Sequence, residues 1–144
     1  RKEITTEGGI NLNKNTKFIK KIIKKLKEKK IRVSLFIEPN INTIKIAKKI
    51  KADCVEIHTG KFCALHNKRK NTNIELRKIR NAVDFANSVS LEVHVGHGIT
   101  FSSARILSKV RGIKEFNIGH FLIGESIFLG INSSIKQFKK ILKK

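Results

Sequence analysis

Short runs of β-branched and other apolar residues alternate along this chain with longer segments whose apolar residues recur at helical spacing. This alternation constrains the fold most, because successive strand–helix units build a parallel sheet covered by helices. The predicted strands are 31–37, 54–58, 91–95 and 115–118. The predicted helices are 14–30, 41–50, 73–89, 102–109, 121–129 and 133–143, and 61–71 is predicted to be a loop of mixed polarity. The sequence therefore predicts an α/β protein.

Polar residues inside the strands bear on the choice between two parallel architectures. An open doubly wound sheet needs apolar side chains on both faces, whereas a TIM barrel, or (β/α)8 barrel, accommodates polar groups in its interior. Polar positions alternate with apolar ones in the predicted strands, namely Ser34, Glu56, Glu92 or His94, and Asn117 opposite Val33, Val55, Val93 and Ile118. This pattern favours the barrel, which four strands cannot close. We expect residues 1–144 to be a single domain that forms about half of a barrel, completed by N-terminal sequence outside the chain or by another chain, and we consider the four strands as barrel strands 5–8.

Two Gly-His elements follow the third and fourth predicted strands. Gly96-His97-Gly98 precedes one predicted helix and Gly119-His120 precedes the next. Glycine lets the backbone approach an anion closely, and a helix N-terminus supplies N–H groups with partial positive charge. Barrel enzymes commonly hold a phosphate between the loops after strands 7 and 8, beside a short extra helix. We therefore predict a phosphate site here, the alternative being that Gly98 and Gly119 are ordinary turn glycines.

Two ionisable residues are candidates for catalysis. His97 lies between two glycines, and its imidazole titrates near neutral pH, which suits a general acid or base. Glu56 lies inside an apolar strand, where a carboxylate needs a partner. We predict that Glu56 stabilises a cationic intermediate or relays a proton. The alternatives are a hydrogen-bonded structural histidine at position 97 and a structural ion pair between Glu56 and Arg32.

The cysteines and histidines do not indicate a metal site. Cys54, His58, Cys63 and His66 are spaced Cys-x3-His-x4-Cys-x2-His. Structural zinc sites usually take two ligands from one tight knuckle before a long spacer, and Cys54 and His58 would instead lie on a predicted strand. We therefore expect no metal and no cofactor. Two cysteines indicate a reducing cytoplasm rather than a disulfide framework, and no apolar run is long enough to span a membrane.

The chain is strongly basic, with 32 Lys and Arg against 11 Asp and Glu and a formal net charge of +21. Such a charge raises the alternative of a nucleic-acid-binding module. Against it, lysine is the poorer reader of bases, and lysines such as Lys20, Lys21, Lys24 and Lys25 fall on the outer face of a predicted helix. The phenylalanines lie in apolar patterns rather than among the basic clusters. Nucleic acid is therefore not the expected partner.

Five stretches of the chain carry a resemblance to a known family. They are EITTEGG (3–9), VSLFI (33–37), VEIHTG (55–60), GHGIT (96–100) and NIGH (117–120). Together they resemble the pyridoxine 5′-phosphate synthases over essentially all 144 residues. The resemblance implies the C-terminal part of a TIM barrel, from just after barrel strand 4. It also implies a cytoplasmic homo-oligomer, since the family forms octamers.

The family condenses 1-deoxy-D-xylulose 5-phosphate with 3-amino-2-oxopropyl phosphate, releasing phosphate and water and closing the pyridine ring of vitamin B6. By resemblance, His97 is the proton donor and Glu56 stabilises the transition state. Substrate contacts fall on Thr5 for the deoxyxylulose phosphate, and on Gly98, Gly119 and His120 for the amino-oxopropyl phosphate. The family's other catalytic His and Glu have no counterpart here, so the 144-residue chain alone is expected to be inactive. Another phosphate-binding barrel enzyme, such as an isomerase or aldolase, remains the alternative.

Overall fold

The computed structural model describes residues 8–143, and within them four strands form one parallel sheet. The strands are β1 (Ser34–Ile37), β2 (Cys54–His58), β3 (Glu92–Gly96) and β4 (Ile113–Asn117). They lie side by side in chain order, and every neighbouring pair is parallel. Each connection therefore advances one strand in the same direction. The predicted α/β fold class is confirmed at this level.

Seven helices are present in residues 8–143. They are α1 (Leu12–Glu28), α2 (Ile41–Lys49), α3 (Gly60–Asn67), α4 (Asn73–Ser88), α5 (Phe101–Leu107), α6 (His120–Leu129) and α7 (Ile131–Leu142). Helix α2 packs on β1, and α4 packs on β2 and β3, while α5 and α6 both contact α7. Six of these helices were predicted, with ends that differ by at most two residues.

The loop predicted over 61–71 is wrong in its first part, where α3 lies. This helix has almost no separation of polar and apolar faces, so its sequence lacks the periodicity that identifies a helix. Burial of Phe62 and Cys63 fixes it instead. Tertiary packing stabilises most short helices more than local propensity does. The consequence for the site is that a helix, rather than a loop, begins directly after β2.

The two faces of the sheet differ in polarity. Val55, Ile57, Val93 and Val95 are 0% exposed and belong to the hydrophobic core. The opposite face carries Phe36, Glu56, His58, His94 and Asn117. Successive side chains of a strand point to opposite faces, so the alternation read from the sequence is the alternation in the sheet. A face with a carboxylate and imidazoles is suited to contact a ligand rather than to pack on apolar helices.

The outer helix faces carry much of the positive charge. Helix α1 buries Leu12, Ile19 and Ile23, while the lysines predicted on its outer face, Lys20, Lys21, Lys24 and Lys25, are exposed. An Asn11 side chain accepts a hydrogen bond from the N–H of Asn13 and caps the helix start. Across residues 8–143, every helix is too short or too polar to cross a membrane.

Candidate functional site

The carboxyl ends of the four strands surround a cavity of about 590 Å³. Five predicted site residues line it, namely Glu56, His97, Gly98, Gly119 and His120. Thr5, the sixth, lies outside the described residues. Phe36 of β1 and Asn117 of β4 also line the cavity. The structure thus brings together residues that are as far as 64 positions apart in the chain, from position 56 to position 120.

Glu56 is held by a hydrogen bond that passes across β3. Its Oε2 accepts a 2.7 Å hydrogen bond from Nδ2 of Asn117 on β4. On β3, between the two, lies Gly96, where an added Cβ would lie 2.0 Å from Oε1 of Glu56. Any side chain at position 96 would therefore displace the carboxylate. The partner that a half-buried carboxylate needs is thus an amide, not a cation.

The ion pair considered between Glu56 and Arg32 is wrong, because Arg32 pairs with a different carboxylate. Its Nη2 lies 2.6 Å from Oε1 of Glu92, which also lies 2.8 Å from Nε2 of the buried His94. Hydrogen bonds from His94 and then from Arg32 lower the pKa of Glu92. Glu92 and Arg32 lie near the amino end of β3 and before β1, away from the cavity. Among residues 8–143, the Glu56 carboxylate therefore has the amide of Asn117 as its partner and not an arginine.

His97 is held in a strained backbone conformation at the end of β3. Its φ is 76°, in the left-handed region that side chains other than glycine seldom adopt, and Gly98 follows with φ of 74°. Thr59, fully buried, fixes this turn. Its hydroxyl lies 2.7 Å from the carbonyl oxygen of Gly96 and 2.9 Å from that of His97, and its N–H donates to Gly96 at 2.9 Å. Strain of this kind is typical of functional sites.

Aromatic rings pack beside this turn and orient the His97 imidazole. The ring centroid of His97 lies 4.7 Å from that of His58 and 6.5 Å from that of Phe36. The close approach requires glycine at position 60, where a Cβ would lie 2.6 Å from Cδ2 of His97 and 2.8 Å from Nε2 of His58. From the sequence, His58 was considered as a zinc ligand and as a neighbour of Glu56 on one strand face, and no contact with His97 was predicted. The motif VEIHTG nevertheless contained Glu56, His58, Thr59 and Gly60 together.

Helix α6 begins at the edge of the cavity with no side-chain cap in the part of the chain described here. The first N–H groups of a helix have no acceptor within the helix, and they carry partial positive charge. The N-terminus of α5 differs, because Thr100 and Ser103 form a capping box there. Gly119 precedes α6, and a Cβ at that position would meet no atom within 4 Å. The start of α6 is therefore open to an anion.

The cysteines and histidines do not assemble into a metal centre in residues 8–143, where no cluster of three metal-binding side chains is found. Cys54 and Cys63 are both buried with free thiols. Burial raises the pKa of the Cys63 thiol, which therefore stays protonated at neutral pH. Its Cβ lies 3.1 Å from where a Cβ at Gly98 would be, so Cys63 supports the turn after β3 by packing.

A parallel sheet with a carboxylate, imidazoles and an open helix N-terminus around one cavity is typical of α/β proteins that bind small phosphorylated molecules. Comparison with known proteins makes this class specific. The chain belongs to the family described as pyridoxal phosphate biosynthesis protein PdxJ, whose family model matches residues 1–144.

Individual relatives agree with the family. The chain is 50% identical over 144 residues to the pyridoxine 5′-phosphate synthase of Pelagibacter ubique, covering 100% of this chain and 60% of the relative. It is 42% identical over 142 residues to that of Zymomonas mobilis, covering 99% and 55%. It is 41% identical over 142 residues to that of Ehrlichia chaffeensis, covering 99% and 57%. The chain therefore spans a little over half the length of these curated relatives.

Proposed function

We propose that this chain is the C-terminal part of a pyridoxine 5′-phosphate synthase. The reaction condenses 1-deoxy-D-xylulose 5-phosphate with 3-amino-2-oxopropyl phosphate and yields pyridoxine 5′-phosphate, phosphate and water. The observation that carries the proposal is the single cavity that gathers Glu56, His97, Gly98, Gly119 and His120 in a chain of this family. The proposal assigns the second catalytic His and Glu to sequence outside these 144 residues.

The four strands are proposed to be strands 5–8 of a TIM barrel, with residues 1–144 forming part of that one domain. Their order supports this assignment, because each connection advances in the same direction and lacks the reversal of a doubly wound sheet. The polar face supports it as well. In a closed barrel, Glu56 and Asn117 point to the interior, and both edges of the sheet are paired with further strands.

His97 is proposed to act as the proton donor and Glu56 to stabilise the transition state. Condensation of an amine with a ketone passes through cationic nitrogen species and expels water, so it needs a proton for the leaving hydroxyl. The imidazole and the carboxylate line the same cavity. The bond from Asn117 fixes one carboxylate oxygen in place before any substrate arrives.

The phosphate of 3-amino-2-oxopropyl phosphate is proposed to bind at Gly98, Gly119 and His120. The uncapped start of α6 supports this assignment, because its free N–H groups favour an anion. Thr5 is assigned to the deoxyxylulose phosphate by family resemblance alone. No cofactor is assigned to the reaction.

A cytoplasmic homo-oligomer completes the proposal. Ile127 and Phe128 of α6 are 79% and 85% exposed, and such apolar side chains call for cover by further polypeptide. Light scattering of the complete polypeptide in solution tests the oligomer.

The decisive test of the function is His97→Asn in the complete polypeptide, with formation of pyridoxine 5′-phosphate as the measurement. Loss of a general acid lowers kcat by about 10²–10⁴-fold, and KM should change much less. His66→Asn is the matched control, because His66 does not line the cavity, and its kcat should equal the unmodified value. Near-normal turnover in His97→Asn would remove this residue from the acid role. Absence of product from the unmodified polypeptide would reject the function.

A further inference from the structure

His58 is a largely buried histidine to which the proposed reaction gives no part. Its side chain is 15% exposed, and its Nδ1 lies 3.1 Å from Oε1 of Glu38, just after β1. A carboxylate only accepts hydrogen bonds, so Nδ1 carries a proton in this contact. In the neutral ring the other nitrogen, Nε2, therefore carries a lone pair. Glu38 thus fixes both the orientation of the ring and its tautomer.

Nε2 of His58 is buried and has no hydrogen-bond partner among the residues that the structure describes. Buried polar atoms of this kind are rare in native proteins and call for an explanation. This nitrogen faces the gap over Gly60, where Cδ2 of His97 also lies. The two rings are tilted by 42°, with centroids 4.7 Å apart. The unpaired nitrogen is therefore next to the imidazole of His97.

The charged groups around the two rings are predominantly acidic. Glu38 contacts His58 from the end of β1, and Glu56 shares the polar face of β2 with it. The nearest lysine along the chain is Lys61 on α3, and its Nζ is engaged with Glu75 at 2.9 Å. Glu38 is therefore the carboxylate in direct contact with the His58 ring.

We propose that Glu38 and His58 form a positioning pair for His97. Glu38 holds the His58 ring beside the imidazole of His97, and this packing orients the His97 ring towards the cavity. The inference rests on the proposed role of His97 as proton donor. Loss of His58 or Glu38 should therefore lower kcat and leave substrate binding nearly unchanged.

Two substitutions at position 58 separate the two ring nitrogens in the complete polypeptide. In His58→Asn the amide reaches the position of Nδ1 and keeps the contact with Glu38, but nothing replaces Nε2. In His58→Gln the amide reaches the position of Nε2. We expect His58→Asn to lower kcat by about 10-fold or more, with KM nearly unchanged. His58→Gln should recover most of kcat, which a purely structural role would not predict.

Glu38→Gln is the second variant, and it does not disturb the packed rings. The Glu38 side chain is 55% exposed, so the substitution should not unfold the protein, and the glutamine oxygen still accepts a hydrogen bond from Nδ1. Only the charge is removed. We expect kcat to fall in this variant too, by a smaller factor than in His58→Asn. If His58→Asn fails to fold, Glu38→Gln decides the question.

NMR signals of the His97 ring separate this inference from the proposed function. The measurement needs no turnover, so it remains decisive even if the unmodified polypeptide makes no product. His97 ring signals that move in His58→Asn and Glu38→Gln, and return towards their original positions in His58→Gln, support the pair. Unchanged His97 ring signals, or a kcat equal to that of the unmodified enzyme while His97→Asn is inactive, overturn the pair and leave the proposed function intact.

Discussion

The end of β3 and the end of β4 carry nearly the same residues in very different surroundings. At Gly96 and Gly98 an added Cβ would come within 2.0 Å of Glu56 and 3.1 Å of Cys63, whereas at Gly119 it would meet nothing within 4 Å. His97 is partly buried in a strained turn, and His120 is exposed at an uncapped helix start. Within the described sheet, β3 has a strand on each side, while β4 has one on a single side.

Within residues 8–143, the residues after β3 are held by strands on both sides, whereas those after β4 have a strand on one side only. In the proposed barrel β4 gains a further neighbouring strand, so the comparison applies to residues 8–143. Proton transfer needs a fixed geometry, because small displacements of the reacting groups cost rate steeply. A phosphate tolerates a looser site, since its charge orients it against any free N–H groups. The packed element is accordingly suited to chemistry and the open one to binding.

Alanine substitutions at Gly96 and Gly119 provide the strongest test of this comparison, because their effects should differ most. Gly96→Ala forces Glu56 away from Asn117, and we expect kcat to fall by about 10²-fold and stability by about 1–3 kcal/mol. Gly119 has φ of −113°, which alanine adopts, and the space is open. Gly119→Ala should therefore change stability by less than about 0.5 kcal/mol.

Urea unfolding and product formation on both alanine variants provide the measurement. Equal losses at positions 96 and 119 would mean that the two elements are equally packed, contrary to the structure. A Gly96→Ala protein with normal kcat would mean that the bond between Asn117 and Glu56 does not matter for turnover.

Capping substitutions at the two helix starts should act with opposite signs. Thr100→Ala removes the capping box of α5 and should cost about 1 kcal/mol. Gly119→Ser supplies a hydroxyl to the uncapped N–H groups of α6, so stability should rise by a few tenths of a kcal/mol, roughly. The same hydroxyl competes with a phosphate, so KM for 3-amino-2-oxopropyl phosphate should rise.

Ser133→Ala on the exposed surface of α7 is the control for both capping variants and should change neither stability nor KM. If Gly119→Ser lowers KM, or leaves it unchanged while raising stability, then the N-terminus of α6 is not where the phosphate binds.

Much of the fold followed from the sequence because its signals are local. The periodicity around β2 predicted 54–58, the bounds seen in the structure, and the glycines after β3 and β4 pointed to residues that line one cavity. Helix α3 was missed because its residues have no periodic pattern and packing alone fixes it. Sequence periodicity identifies a helix or strand that has one polar and one apolar face. It fails for an element such as α3, in which polar and apolar residues are not separated.

Side-chain contacts between different strands could not be predicted from the sequence, because they depend on the register in which the strands pair. Asn117 lies 61 residues from Glu56, and the bond between them exists only because Gly96 occupies the crossing point on β3. Arg32 was considered instead because a cation is the expected partner of a carboxylate. The contact between His58 and Glu38 likewise needs the pairing of β1 with β2. A single sequence contains no signal for such pairings.

The last effect expected concerns the way α3 supports the residues after β3, and it depends on pH. Glu75 of α4 is 7% exposed and lies 2.9 Å from Nζ of Lys61 and 3.0 Å from Nζ of Lys78. Burial alone would raise the pKa of Glu75, but the hydrogen bonds from the two lysines outweigh it and hold the pKa below its ordinary value.

Glu75→Gln tests this support through its pH dependence. A carboxyl group whose pKa is lowered by folding stabilises the folded state at pH values above its ordinary pKa. That stabilisation is lost as the pH falls through the pKa of the group in the folded state. The free energy of unfolding of the unmodified protein should therefore exceed that of Glu75→Gln by about 0.5–1 kcal/mol at neutral pH. The difference should become smaller at acidic pH. Thermal unfolding at several pH values measures it. Lys61 and Cys63 both lie on α3, and Cys63 packs at Gly98, so any effect on turnover should act through the turn at His97 and Gly98 and appear in kcat and in KM for the amino-oxopropyl phosphate. A stability difference that does not change with pH would mean that the ion pairs of Glu75 do not support α3.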